Sequence, residues 1–176
     1  MKLTSVLSAA FGAALLATSA IAHATLEQQE AETGSYYKAV FRIGHGCSGE
    51  ATLKVRVTIP EGVVSVKPMP KPGWGLETVT GAYEHTYDLH GTDVSEGVKE
   101  VVWTGELADA HYDEFVFRAK LDGSLTPDEM LFFPTVQECA NEDNAWVEIP
   151  AKGQNAHDLD KPAPGLMLST PHKHNH

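Results

Sequence analysis

A regular alternation of apolar and polar residues between positions 52 and 59 is the feature that most constrains this fold. Leu53, Val55, Val57 and Ile59 alternate there with Thr52, Lys54, Arg56 and Thr58. Successive side chains of a β-strand point to opposite faces, so this pattern predicts a strand with one buried face. Further alternating or short apolar runs occupy residues 37–43, 101–103, 115–117, 131–133 and 146–149.

Turn-forming residues separate these runs and indicate the fold class. Pro-Glu-Gly at 60–62, Pro-Gly at 72–73, Asp-Gly at 122–123 and Thr-Pro at 126–127 are typical turn sequences. Several short strands with turns at such spacing predict an all-β fold, an antiparallel β-sandwich or barrel. The Pro-rich segment 67–74 is predicted to be a stiff surface segment, and residues 27–32 a loop or an edge.

The first 22 residues have the pattern of a cleaved signal peptide. Lys2 precedes an apolar stretch, and Ala20-Ile21-Ala22 is an A-x-A cleavage site. We therefore expect a signal peptide at 1–22, one folded domain at 23–150, and an extended tail at 151–176 where the periodicity is lost. The mature protein would be periplasmic or secreted, with no membrane span.

Charge and cysteine content narrow the function classes. The chain carries 24 acidic and 13 basic side chains, for a net charge of −11. Nucleic-acid binding is therefore disfavoured, because phosphate contacts require clustered Lys and Arg. Outside the cytoplasm Cys47 and Cys139 can remain oxidised, which favours a disulfide between them over a thiolate metal site.

Cleavage after Ala22 would leave His23 as the first residue. Its free α-amine and its Nδ1 atom could then close one chelate ring on a metal ion. An α-amine has a pKa of about 7.7–8.0, so its deprotonation near neutral pH costs little. An N,N donor pair with open positions favours Cu(II), which also binds most tightly in the divalent series.

Three further histidines alternate with other residues at the C-terminus. His172, His174 and His176 form a tract that can bind Cu(II), Ni(II) or Zn(II) through neutral imidazoles. This tract is either an auxiliary metal-gathering tail or a solvated tail or tag. No G-x-S-x-G motif, C-x-x-C motif or phosphate-binding Gly loop is present, which leaves hydrolase, thiol-redox and nucleotide functions without support.

The predicted mature chain resembles the YcnI-like family of exported copper-binding proteins, long catalogued as a domain of unknown function. The resemblance begins at His23-Ala24-Thr25-Leu26-Glu27 and extends to about Leu168. Its further segments are Gly34-Ser35-Tyr36-Tyr37, His45-Gly46-Cys47, Pro60-Glu61-Gly62-Val63, residues 67–74, residues 94–100, residues 111–115, Phe133-Pro134, Gln137-Glu138-Cys139 and residues 146–150.

The resemblance implies a cupredoxin-like or fibronectin-III-like β-sandwich that binds one Cu(II) ion. It further implies a brace built from the single histidine at the mature N-terminus, with a Trp and a Glu close by. His23 matches that histidine, Trp146 matches the Trp, and we assign Glu50 as the carboxylate. Trp146 follows the polar stretch 141–144 and is expected at the rim of a strand, where an exposed indole can cover a cation.

Three functions follow from these observations. The first is a copper-binding protein for acquisition, buffering or delivery, whose partner would be a membrane copper transporter or another copper chaperone. The second is a copper-dependent oxidase acting on an extracellular polymer, which would need a second histidine such as His45 or His111. The third is a structural or adhesive sandwich domain with incidental metal binding, which a mature N-terminus buried or pinned far from Trp146 would favour.

Overall fold

The computed structural model describes residues 23–172. The predicted signal peptide lies outside this range, as do His174 and His176. The strands are β1 (Thr25–Leu26), β2 (Glu30–Glu32), β3 (Tyr36–Ile43), β4 (Thr52–Thr58), β5 (Val63–Pro68), β6 (Gly75–Leu89), β7 (Thr92–Leu107), β8 (Asp113–Leu121), β9 (Met130–Phe132), β10 (Thr135–Glu138), β11 (Asp143–Trp146) and β12 (Gly165–Ser169). A 3-10 turn spans Ala156–Asp158.

These strands form three sheets. One sheet has the order β1-β3-β8-β5, a second has the order β11-β10-β4-β7-β6, and a small third sheet has the order β2-β12-β9. All strand pairs are antiparallel except β12 with β2. The predicted all-β antiparallel sandwich is confirmed. Within residues 23–172, no helix is long and apolar enough to cross a membrane.

The core lies between the two larger sheets and explains the alternation in the sequence. Val55 and Val57 are fully buried and Ile59 nearly so, as the period of two requires. Leu53 departs from the pattern and is 38% exposed, whereas Thr52 is buried. The pairing of β4 with β7 shifts between Thr52 and Lys54, and this irregularity changes the residue that faces inward.

The folded part extends beyond residue 150. β12 pairs with β2 and β9, and its Leu166 and Leu168 are buried in the core. The boundary predicted at residue 150 is therefore wrong, because a short alternating strand near the C-terminus fills part of the sandwich. The expectation of an edge at residues 27–32 is confirmed, since β2 is an outer strand of the third sheet.

The disulfide between Cys47 and Cys139 is confirmed, with Cα atoms 6.1 Å apart and 92 residues between them in sequence. It joins the loop between β3 and β4 to the turn that connects β10 with β11. The Pro-rich segment begins at the end of β5, an outer strand, which agrees with the predicted exclusion of these prolines from a sheet centre.

Candidate metal centre

His23 lies against Trp146, at the place where the outer strands of the two large sheets meet. β1 holds the start of the domain through its pairing with β3, Thr25 opposite Arg42 and Leu26 opposite Phe41. Trp146 ends β11 and lies opposite Thr135 of β10. The two ring centroids are 5.3 Å apart and the ring planes are nearly perpendicular, at 89°. This edge-to-face arrangement is a favoured geometry for aromatic rings.

The imidazole of His23 has no hydrogen-bond partner among the residues that the structure describes. Its Nε2 atom is buried, and neither ring nitrogen is hydrogen-bonded to another residue in the range 23–172. His23 also lines a cleft of about 290 Å³, together with Met130, Phe132 and the Pro162–Gly165 segment. An imidazole with free nitrogens beside an open cleft fits a metal ligand, because its lone pair is not engaged elsewhere.

Trp146 is buried rather than exposed, with 5% of its surface accessible. The expectation of an exposed rim indole is therefore wrong, because the register of β10 and β11 turns the side chain inward. A cation does lie over its ring: the Nζ atom of Lys161 is 6.0 Å from the ring centroid. The same ammonium donates to the carbonyl of Asp143 and to Oδ1 of Asn144, each at 3.2 Å.

A buried glutamine supports Trp146, and the sequence-based reasoning did not identify it. Nε1 of Trp146 donates to Oε1 of Gln137 at 3.5 Å. Nε2 of Gln137 donates to the carbonyl of His45 at 2.6 Å and to Oγ1 of Thr52 at 2.7 Å. The signal was available, since the alternation in β10 places Gln137 on the same inward face as Thr135, where a polar side chain requires partners.

Within residues 23–172 the partner of Glu50 is Asn141, and no contact joins Glu50 to His23. Both carboxylate oxygens of Glu50 accept hydrogen bonds from Asn141, one from its side chain at 2.6 Å and one from its backbone at 2.9 Å. These hydrogen bonds lower the pKa of Glu50. Asn141 lies in the turn between β10 and β11, and Trp146 lies at the far end of β11. Three residues of strand, on the order of 10 Å, separate that end from the start of the strand.

Of the three C-terminal histidines, the structure describes His172, whereas His174 and His176 lie outside the described residues. Nδ1 of His172 lies 2.6 Å from Oε1 of Glu32, and the backbone amide of His172 donates to Oε2 at 3.2 Å. Glu32 ends β2, so this contact attaches the end of the chain to the third sheet. The proposal that the tail binds metal rests on sequence for His174 and His176.

Neither histidine named for an oxidase, His45 or His111, has a recorded contact with His23 within residues 23–172. Nδ1 of His45 lies 2.5 Å from the carbonyl of Gly46, and the backbone of His111 donates to Ala108. Between residues 23 and 172, no three side chains of His, Cys, Asp and Glu are grouped so that they could hold a metal ion.

Comparisons with known proteins agree with this architecture. Residues 23–168 match the family described as "Domain of unknown function (DUF1775)". A solved structure of an uncharacterized protein from Nocardia farcinica, described as having an immunoglobulin-like fold, is similar with a TM-score of 0.61 and 25% identity. The match covers 84% of this chain and 99% of that one. No curated protein matches the chain.

Proposed function

Since the chain belongs to the DUF1775 family, whose description states no activity, we propose a function from the geometry: extracytoplasmic binding of Cu(II) by His23 at the mature N-terminus. The observation that carries the proposal is the position of the His23 imidazole, 5.3 Å from Trp146 and with both nitrogens free of hydrogen bonds to residues 23–172. The contact with Trp146 supports this proposal over the adhesive alternative, which an N-terminus far from Trp146 would favour.

Cleavage after Ala22 would supply the second nitrogen donor. The α-amine and Nδ1 of His23 then chelate the ion as one residue, and the lone pair of Nδ1 is available because no described residue occupies it. The pairing of Thr25 and Leu26 with β3 fixes the start of the chain, so little main-chain freedom is lost when the ion binds. The cleft beside His23 provides space for the ion and for water ligands.

Trp146 would act as the wall of this site. Its indole contacts the imidazole edge-to-face and limits the rotamers that His23 can adopt. Glu50 is outside this proposal, because its oxygens are bound by Asn141. The sequence resemblance to YcnI-like proteins supports copper as the metal, and the affinity order of divalent ions supports Cu(II) over Zn(II).

The surface charge supports a role in collecting cations. Lys2 is the only charged residue of the predicted signal peptide, so its removal changes the net charge from −11 to −12. A negative surface raises the local concentration of cations and speeds their encounter with the site. The mature protein would then acquire or buffer copper and deliver it to a membrane copper transporter or another chaperone.

The test is a titration with Cu(II) of protein that begins at His23, compared with protein that carries one additional Gly before His23. The added residue converts the α-amine into an amide and leaves the imidazole, the cleft and Trp146 in place. Loss of one chelating donor is expected to weaken binding by at least about 100-fold, the effect of roughly 3 kcal/mol. Equal affinities of the two proteins would contradict the proposal.

A further inference from the structure

Gln137 connects the loop around the disulfide to the indole beside His23. It is 2% exposed and lies in β10, between the neighbouring strands β4 and β11. Its amide group donates two hydrogen bonds, to the His45 carbonyl at 2.6 Å and to the Thr52 hydroxyl oxygen at 2.7 Å. Its carbonyl oxygen accepts the hydrogen bond from Nε1 of Trp146.

The two donated bonds determine the orientation of the glutamine side chain. A primary amide has two N–H groups, and here each donates to an acceptor. One of these acceptors, the His45 carbonyl oxygen, cannot act as a donor. A reversed amide would place two carbonyl oxygens 2.6 Å apart, and this arrangement is repulsive. The oxygen of Gln137 therefore points towards Trp146, and it is fixed there before any metal binds.

We propose that Gln137 is a positioning residue for the metal site: it holds the indole plane of Trp146, and through that plane it sets the orientation of the His23 imidazole. The inference rests on the proposed function. An indole has one donor and no acceptor, so a single fixed acceptor selects one of its ring orientations. The edge-to-face contact with the His23 imidazole, with ring centroids 5.3 Å apart, depends on that orientation of the indole.

The expected effect follows from the behaviour of residues that orient metal ligands. Loss of such a residue typically lowers metal affinity 10- to 100-fold while the ligand itself remains. Replacement of Gln137 by Met retains the length and approximate volume of the side chain but removes the acceptor for Trp146. The Cu(II) dissociation constant of Q137M is expected to rise about 10-fold, within that range.

The matched control is T52V. This substitution removes one acceptor of the Gln137 amide and leaves its bond to the His45 carbonyl and its contact with Trp146. Q137M loses three buried hydrogen bonds and T52V loses one, so both should be destabilised, but only Q137M should weaken copper binding. Equal losses of affinity in Q137M and T52V would show a merely structural role and would overturn the inference.

A second measurement needs no copper and distinguishes this inference from the proposed function. In metal-free protein labelled with ¹⁵N-tryptophan, the Nε1–H resonance of Trp146, assigned with W146F, is expected to exchange slowly in the wild type and in T52V. In Q137M it is expected to shift and to exchange faster. A wild-type protein that binds no copper would contradict the proposed function, and this readout would still test Gln137.

If Q137M does not fold, the exchange rate of the Trp146 indole proton in the wild-type protein still tests the inference. The indole N–H of Trp146 should exchange more slowly than the indole N–H of the half-buried Trp74, which donates to no acceptor within residues 23–172. Exchange of the Trp146 proton as fast as that of Trp74 would overturn the inference, because a fixed acceptor protects its donor.

Discussion

Removal of residues 151–176 should unfold or severely destabilise the domain, although this segment was expected from its sequence to be a tail. The truncation removes β12, whose Leu166 and Leu168 are 0% and 2% exposed. Complete burial of one leucine contributes about 1.5–3 kcal/mol, so the two together contribute about 3–6 kcal/mol. Natural domains are stable by only about 5–15 kcal/mol, so a loss of this size is a large fraction of the total.

The truncation also removes backbone partners that the remaining strands cannot replace. β2 pairs with β12 on one side and β9 pairs with it on the other, so both would lose their only neighbour in the third sheet. The segment that covers the His23 cleft and carries Lys161 would be lost as well. The truncated protein is thus expected to lose both stability and the site.

Urea unfolding followed by circular dichroism tests this expectation on proteins spanning residues 23–176, 23–170 and 23–150. The 23–170 protein retains β12 and serves as the control, since it loses only residues 171–176, of which the described Pro171 and His172 are exposed. We expect its unfolding free energy to stay within about 0.5 kcal/mol of the full mature chain, the usual scale for surface changes. The reasoning would be refuted if the unfolding free energy of the 23–150 protein lay within about 1 kcal/mol of that of the full mature chain. The burial of the two leucines would then contribute almost nothing to stability.

Two further predictions concern carboxylates. Burial raises the pKa of Glu61, but hydrogen bonds from Tyr87, Lys99 and a backbone amide outweigh it and leave this pKa lowered. A lowered folded-state pKa stabilises the fold above the unfolded pKa and loses this effect as pH falls through the folded value. E61Q should therefore be less stable than the wild type by about 2 kcal/mol at pH 7. This difference in stability, measured by thermal unfolding, should shrink below about pH 4. A difference that does not change with pH would contradict the prediction. E50Q should keep a Cu(II) affinity within about 3-fold of the wild type, less than 1 kcal/mol, because Asn141 and not the metal site holds this side chain; a 10-fold loss by titration would return Glu50 to the ligand set.

The sandwich was predictable because strand signals are local. Alternation within a run of eight residues reports which side of the chain is buried, and Val55 and Val57 are buried as the pattern requires. The exceptions arise from long-range pairing. Leu53 is exposed because β4 and β7 shift register beside it, and β12 was missed because its buried leucines follow a stretch with Pro162 and Pro164 that has no strand pattern.

The sequence by itself determined the fold class and pointed to His23 as the residue on which the proposed metal site is built. The A-x-A motif before His23 and the chelating chemistry of an N-terminal histidine are properties of adjacent residues, so no tertiary contact is needed to recognise them. Only the tertiary structure decided that Trp146 contacts His23, that Gln137 holds Trp146, and that Glu50 is bound by Asn141 instead. These pairs are joined through strand register and through the meeting of two sheet edges. Their sequence separations range from 9 to 123 residues, and no local pattern encodes such distances.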